Sequence, residues 1–320
     1  MVIAKKFISM ITNCQNIVIT THVNPDADGI GSQIALGMAL RRLGKNVICV
    51  NEEPLLERYK YLDPDDIVVG LNEYNKNSAD LFIVVDTNSL DRIGSNMKAL
   101  IGNQNVLFID HHPCPDETKN NHCIDTSMAA TGELVGMIIE FLGVKFTKDL
   151  ALPLYTSILI DTSSFRYPTV TANTHRVVAK LMDTGLEPPH AYNMIYGTKK
   201  VNHMQFLGHV LSTAKTTKNG DIAWITVKKE ILERFNIDQE DTHALINNLL
   251  IMDGIKVAVM FRESPGEIKV SLRSDGDIDV GSLAKLLGGG GHDHSAATIL
   301  NCPLEEAIKK TVKTLENNLT

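Results

Sequence analysis

The sequence predicts an α/β protein: an N-terminal domain built on a parallel sheet with helices on both faces, followed by a smaller C-terminal α/β domain with a mixed sheet. Three observations carry this. Short apolar runs alternate with helical patterns up to about residue 185. The runs are apolar at nearly every position, as strands must be when both faces of their sheet are covered. After Glu187-Pro188-Pro189 the pattern changes to strand-like segments divided by turns. A chain of 320 residues is long enough for two domains at about 150 residues each. They are expected at 1–187 and 213–320, joined by a helical linker over 188–212.

Taken in order, Asn16 to Thr21 (NIVITT) is the first strand. Ile34, Ala35, Met38 and Leu43 share one face of a helix over Ser32 to Leu43, which Gly44 stops. Val47 to Val50, Leu81 to Val85 and Val106 to Ile109 are the next strands, with a helix-like stretch at Ile93 to Ile101 before the last. Leu134 to Leu142 and Leu150 to Ile160 read as helices, and Tyr192 to Leu211 as a polar helical connection. Beyond it, Ile222 to Val227, Lys256 to Phe261 and Ile268 to Leu272 are strand-like. Helical patterns interleave at Thr242 to Met252 and Val280 to Leu287.

Composition excludes several classes of function. Lys plus Arg is 31 against 38 for Asp plus Glu, a net charge of −7. A protein that coats long DNA or RNA draws its affinity from many phosphate-neutralising cations, and a membrane-surface helix needs a basic face. With 5% aromatics and one Trp, a stacking groove along a long single strand is also unsupported. The five cysteines are scattered without a CxxC pair, which argues against a disulfide framework or a thiolate zinc site. The opening residues do not read as a signal peptide, and no run of about 18 apolar residues occurs. A cytoplasmic protein is therefore expected.

The polar residues that interrupt the apolar runs are the informative ones. The first strand leads into His22-Val23-Asn24-Pro25-Asp26-Ala27-Asp28-Gly29, the third ends in Asp86, the fourth in Asp110-His111-His112, and a helix ends in Asp161. Ligands of open α/β sheets bind outside the carboxyl ends of the strands, so these segments converge on one rim. Taken alone, Asp26-Ala27-Asp28 reads as N-cap and turn chemistry. Five carboxylates together cannot all stay ionised without compensation, and divalent cations supply it. Mixed His and Asp ligands suit Mn²⁺ first, and their number suits two ions with Asp86 as the bridge. The remaining histidines, such as His122 and His175, show no partners at ligand spacing.

This set of motifs resembles the DHH phosphoesterase superfamily. Val270-Ser271-Leu272-Arg273-Ser274 and Gly288-Gly289-Gly290-Gly291-His292 resemble the substrate-binding motifs of the DHH-associated C-terminal domain found in bacterial nano-RNases of the NrnA-like kind. One departure is visible: Ser295-Ala296-Ala297-Thr298 stands where the family has Ala-Ser-Gly or Ala-Ala-Gly. The resemblance implies an active site in the cleft between the domains. It implies that His22, Asp26 and Asp86 hold one ion, and Asp28, Asp86, His111 and Asp161 a second. Asp110 would orient the ligands and His112 would face the phosphate. Arg273, Ser271, Gly289, Gly290, Gly291 and His292 would bind substrate. The glycine run also reads as a hinge or a helix C-cap after Leu287.

The function expected is a manganese-dependent phosphoesterase. Its substrates are short oligoribonucleotides, cut to nucleoside monophosphates, together with adenosine 3′,5′-bisphosphate. The alternatives are a cyclic di-AMP or linear-dinucleotide phosphodiesterase and, from another class, a non-catalytic nucleotide sensor. The resemblance also points to a homodimer. Neither long nucleic acid nor a membrane is an expected partner.

Overall fold

Why the strand runs are apolar at every position is visible in the computed structural model. It describes residues 5–75, 79–197, 200–238, 242, 245–274 and 278–319, with the main chain alone at Lys5 and His292. Internal contacts divide the chain into two units, residues 1–198 and 199–320.

The first unit runs α1 (Lys5–Thr12), β1 (Asn16–Thr20), α2 (Ala27–Arg42), β2 (Asn46–Asn51), β3 (Val68–Gly70), β4 (Leu81–Val85), α3 (Ser95–Ile101), β5 (Val106–Asp110), α4 (Asp116–Asn121), β6 (Cys123–Ile124), α5 (Thr131–Phe141), α6 (Lys148–Asp161), α7 (Ala172–Met182) and α8 (Pro188–Tyr196). Its six strands are all parallel, in the order β3-β2-β1-β4-β5-β6. The chain winds outward in both directions from β1 and β4, which makes the gap between their carboxyl ends the switch point of the sheet. Alternate residues feed two cores. Ile17, Ile19, Ile83 and Val85 pack with Ile34, Leu134 and Leu154 of α2, α5 and α6. Val18, Phe82, Val84 and Phe108 pack with Met97 and Ile101 of α3. Both faces are covered, as the apolar runs required.

Helices α2, α5 and α6 pack closely enough that a side chain would not fit between them at two points. A Cβ on Gly31 would lie 2.4 Å from the Pro153 carbonyl oxygen, and one on Gly132 would lie 1.8 Å from Ser157 Oγ. This close approach brings α5 and α6 onto Asp28.

The second unit runs α9 (Val201–Leu211), β7 (Lys215–Thr216), β8 (Ile222–Val227), α10 (Lys229–Phe235), β9 (Val257–Ser264), β10 (Glu267–Ser274), α11 (Val280–Leu286), β11 (Gly290–His292), β12 (Ser295–Leu300) and α12 (Leu304–Glu316). Its sheet has the order β11-β12-β10-β9-β8-β7 and is mixed: β8 and β9 are parallel, the other pairs antiparallel.

Several elements differ from expectation. The residues expected as a linker form two helices, α8 in the first unit and α9 in the second. Helix α2 starts five residues early, because Asp26 caps it. Of the helix expected over 242–252, Leu245–Asn248 is a turn of 3-10 helix, and residues 243–244 lie outside the described part. Among the described residues no helix is long and apolar enough to cross a membrane.

Candidate metal centre

Each predicted ligand sits at the end of a regular element, which fixes its direction. His22 follows β1 by two residues and Asp26 is the N-cap of α2. Asp86 comes directly after β4 with φ +61°, in the left-handed region that Asp tolerates better than most residues. Asp110 ends β5, His111 and His112 follow it, and Asp161 ends α6. Because β1 and β4 are the central neighbours of the sheet, the segments after β1, β4 and β5 meet at one rim.

The structure brings these residues together in three overlapping groups: His22, Asp26 and Asp86; Asp28, His111 and Asp161; and Asp86, His111 and His112. Within each group one ligand atom per residue lies within 4.8 Å of the others. His22 Nε2 lies 3.4 Å from Asp86 Oδ2. His111 Nε2 lies 3.2 Å from Asp161 Oδ2 and 3.7 Å from Asp28 Oδ2. His112 Nδ1 lies 2.7 Å from Asp110 Oδ1 and 3.8 Å from Asp86 Oδ1.

The hydrogen bonds around the centre select which atoms face inward. His22 Nδ1 is 2.9 Å from the Val23 carbonyl, and His111 Nδ1 is 3.2 Å from the Met128 carbonyl. A carbonyl only accepts, so each Nδ1 carries a proton, and Nε2 is the nitrogen that faces the carboxylates. Asp26 Oδ1 accepts from the N–H groups of Asp28 and Gly29, at 2.9 and 3.2 Å. Capping thus engages Oδ1, and the N-cap reading and the ligand reading of Asp26 are compatible.

Electrostatics set the centre apart from an ordinary turn. Burial, then the charges of Asp28, Asp26, Asp161 and Asp110, push Asp86 well above the usual carboxylate range. Burial and the charges of Asp28 and Asp26 do the same to Asp161. Burial would also raise Asp110, but its hydrogen bond from His112 and the charges of His112 and His111 outweigh that and hold it low. His111 Nε2 is buried and, among the described residues, makes no hydrogen bond, although two carboxylate oxygens lie near it. Buried polar atoms are almost always paired, and a cation is a partner that this nitrogen and those oxygens could share. Carboxylate oxygens with imidazole nitrogens are the donors that first-row divalent cations take. The residues present fit such ions.

Some of the machinery carries no sequence signature. Asp28 accepts from Thr131 N at 2.8 Å, Gly132 N at 3.0 Å and Ser32 Oγ at 3.3 Å, and also from Ser157 Oγ. Thr131 Oγ1 donates to Asp86 Oδ1 at 3.0 Å. Asn88 Nδ2 donates to Asp110 Oδ2 at 2.7 Å, leaving the other oxygen to His112. These are common residue types: Thr131, Gly132 and Ser157 reach Asp28 only through the packing of α5 and α6 on α2, and Asn88 reaches Asp110 from the loop after β4. Gly132, placed among Thr, Gly and Glu at a helix start, is the nearest thing to a signal.

The predicted substrate residues all lie in the second unit. Ser271 and Arg273 alternate on β10 and so share a face of the sheet. Arg273 Nη1 donates to the Leu272 carbonyl at 2.9 Å. Gly288, at φ +84°, follows the end of α11, as a C-cap glycine does. A Cβ on Gly289 would lie 2.2 Å from the Ala297 oxygen, and one on Gly291 2.4 Å from Ala296 Cα. The glycines therefore admit β12 at close range, while Gly290 has open space around it. Ser295 to Thr298, the departure from the family pattern, belongs to β12, which pairs with β10 on one side and β11 on the other. The His292 side chain lies outside the described part of the structure.

Comparison with known proteins gives the family context. The chain matches the model of the DHH family, N-terminal domain, over residues 16–158, and that of the DHHA1 domain over residues 219–320. A protein of Thermus thermophilus named bifunctional oligoribonuclease and PAP phosphatase NrnA is 30% identical over 311 residues, which cover 95% of this chain and 90% of the relative. Its namesake in Bacillus subtilis is 29% identical over 317 residues, 97% of each chain. The crystal structure of an exopolyphosphatase-related protein from Bacteroides fragilis is similar at a TM-score of 0.91 and 26% identity, over 98% of this chain and 95% of that one.

Proposed function

Because the chain belongs to the DHH family and is a metal-dependent phosphoesterase, we propose that it hydrolyses short oligoribonucleotides to nucleoside monophosphates and removes the 3′-phosphate of adenosine 3′,5′-bisphosphate. The observation that carries this reading is the overlap of the ligand groups: Asp86 and His111 each belong to two of the three. Ligands shared between neighbouring groups suit a pair of ions held side by side. In our reading His22, Asp26 and Asp86 hold one divalent ion, and Asp28, Asp86, His111 and Asp161 hold the other. Mn²⁺ is the ion that the mixed imidazole and carboxylate donors favour. Such ions, when bound, polarise phosphoryl oxygens and make water acidic enough to attack phosphorus near neutral pH.

The protein's own groups do the rest. Asp110, kept ionised, takes the Nδ1 proton of His112 in a hydrogen bond and so sets the direction of that ring. His112 then offers Nε2 to the substrate and delivers a proton to the oxygen that leaves as the P–O bond breaks. Arg273 presents a planar fork for two phosphate oxygens. Ser271, the backbone of Gly289 to Gly291 and His292 complete the grip on the anion. A grip of this size suits one or two phosphates. The naming of both relatives as oligoribonuclease and PAP phosphatase supports those two substrates.

The test is a substrate panel with Mn²⁺: a dinucleotide RNA, a pentanucleotide, adenosine 3′,5′-bisphosphate, cyclic di-AMP and pyrophosphate. Release of monophosphate from the dinucleotide and of phosphate from the bisphosphate is expected. Hydrolysis of cyclic di-AMP alone would replace the proposed substrates. No turnover of any member with Mn²⁺, Mg²⁺ or Co²⁺ would leave a nucleotide sensor.

A further inference from the structure

The turn between β6 and α5 holds a contact chain that reaches the metal centre from outside it. Asp125 N donates to the Asp110 carbonyl at 3.0 Å, and Met128 N to the Asp125 carbonyl at 3.2 Å, which ties this turn to the end of β5. Within it, the single peptide unit joining Met128 to Ala129 is engaged on both sides. Its carbonyl oxygen receives His111 Nδ1 at 3.2 Å, and its N–H donates to Glu133 Oε2 at 3.1 Å. Glu133 lies on α5 and is 1% exposed. Its carboxylate also accepts from Thr174 Oγ1 at 3.0 Å and from Asn173 Nδ2 at 2.9 Å. All three of these donors are neutral groups.

We infer that Glu133 is a positioning residue for the metal centre, acting on His111 through the Met128–Ala129 peptide. A carboxylate that accepts from an amide N–H polarises the amide, and its carbonyl oxygen becomes a stronger acceptor. The stronger acceptor fixes the His111 proton on Nδ1 and leaves the lone pair on Nε2. That is the buried atom which, among the described residues, makes no hydrogen bond and lies near Asp161 and Asp28. Metal-binding histidines commonly donate their second N–H to a carboxylate, and here a peptide group is inserted between the two. The inference rests on the reading of the six ligands as a metal centre. A purely structural role, in which Glu133 only fastens α5 to the start of α7, makes a different prediction.

The experiment is an Mn²⁺ titration of the metal-free full-length protein, with free Mn²⁺ read by electron paramagnetic resonance and the His111 tautomer by nitrogen-15 NMR. The wild-type protein should bind two ions and hold the His111 proton on Nδ1 before metal is added. Glu133→Gln should weaken one ion about 10- to 100-fold and leave the other unchanged. Thr174→Val removes a donor to the same carboxylate oxygen and half of the capping box of α7. It should lower thermal stability and leave both affinities unchanged. The relay is overturned if Glu133→Gln binds both ions as tightly as wild type, if Thr174→Val weakens Mn²⁺ as much as Glu133→Gln, or if wild-type His111 holds its proton on Nε2. A wild-type protein that binds no Mn²⁺ would overturn the metal reading itself, and the relay with it.

Discussion

Asp86 is constrained through both its backbone and its carboxylate. Its backbone is left-handed, its N–H donates to the Ile109 carbonyl at 3.0 Å, and its two oxygens meet Thr131 and His22. Burial and four neighbouring carboxylates make its charge costly in the metal-free protein. Asp86→Ala is expected to abolish turnover and reduce bound metal, measured on purified protein, to one ion or none. Near-normal turnover with two ions would end its role as the shared ligand. Arg273 behaves oppositely: Arg273→Ala should cost on the order of 10²-fold in activity with metal content unchanged, and a fall in metal would remove it from the substrate grip. At this scale the six residues read as ligands stand out in the sequence because Asp and His interrupt or follow apolar runs. Thr131, Ser157, Asn88 and Glu133 were not, since only tertiary contact distinguishes them from ordinary helix and loop residues.

The strand that delivers Asp110, His111 and His112 depends on a neighbour of two residues. Strand β6 pairs Ile109 with Cys123 and Asp110 with Ile124, and His122 stands at its head. His122 Nδ1 accepts the Phe108 N–H at 3.3 Å, and the two rings meet edge to face at 4.7 Å. Accepting requires a neutral Nδ1. Burial, then the charge of Lys6, holds the pKa of His122 below its ordinary 6.5. The unfolded chain therefore binds this proton first as pH falls. The stabilisation is complete above pH 6.5 and is lost as pH drops through the lower folded value. His122→Asn keeps an acceptor and removes the titration, so its Tm should fall less between pH 7 and pH 5 than the wild-type Tm. Equal slopes would remove His122 from the acid response. Strands such as β4 were legible because both faces are buried. Strands β3, β6 and β11 have two or three residues each and exist only through their partners, so no local pattern announces them. Helix α12 was not expected, although its buried residues Ala307, Thr311 and Leu315 fall at helical spacing.

Over the whole molecule the charge decides what length of substrate the protein can hold. At −7 the chain has no surplus of cations with which to follow a long phosphate backbone. Two divalent ions at the first unit would bring the formal charge to −3 and concentrate the positive charge at one point, where carboxylates from four chain segments meet. Under the proposed function, Arg273 would contribute one further cation to the grip on phosphate. Affinity should then come from one or two phosphates, and salt dependence reports their number. For a single strand the logarithm of the affinity falls by about 0.7 per neutralised phosphate for each decade of salt. One or two phosphates therefore predict a loss of only about 3- to 7-fold in dinucleotide affinity between 50 and 200 mM salt. A protein that grips six to ten phosphates would lose on the order of 10² to 10⁴ over the same range. Measured at fixed Mn²⁺ with a dinucleotide and with a twenty-residue RNA, the dependence should be shallow for both if the grip is confined to one or two phosphates. A steep dependence for the longer strand would reveal a basic track outside the centre, and the restriction to short substrates would fall.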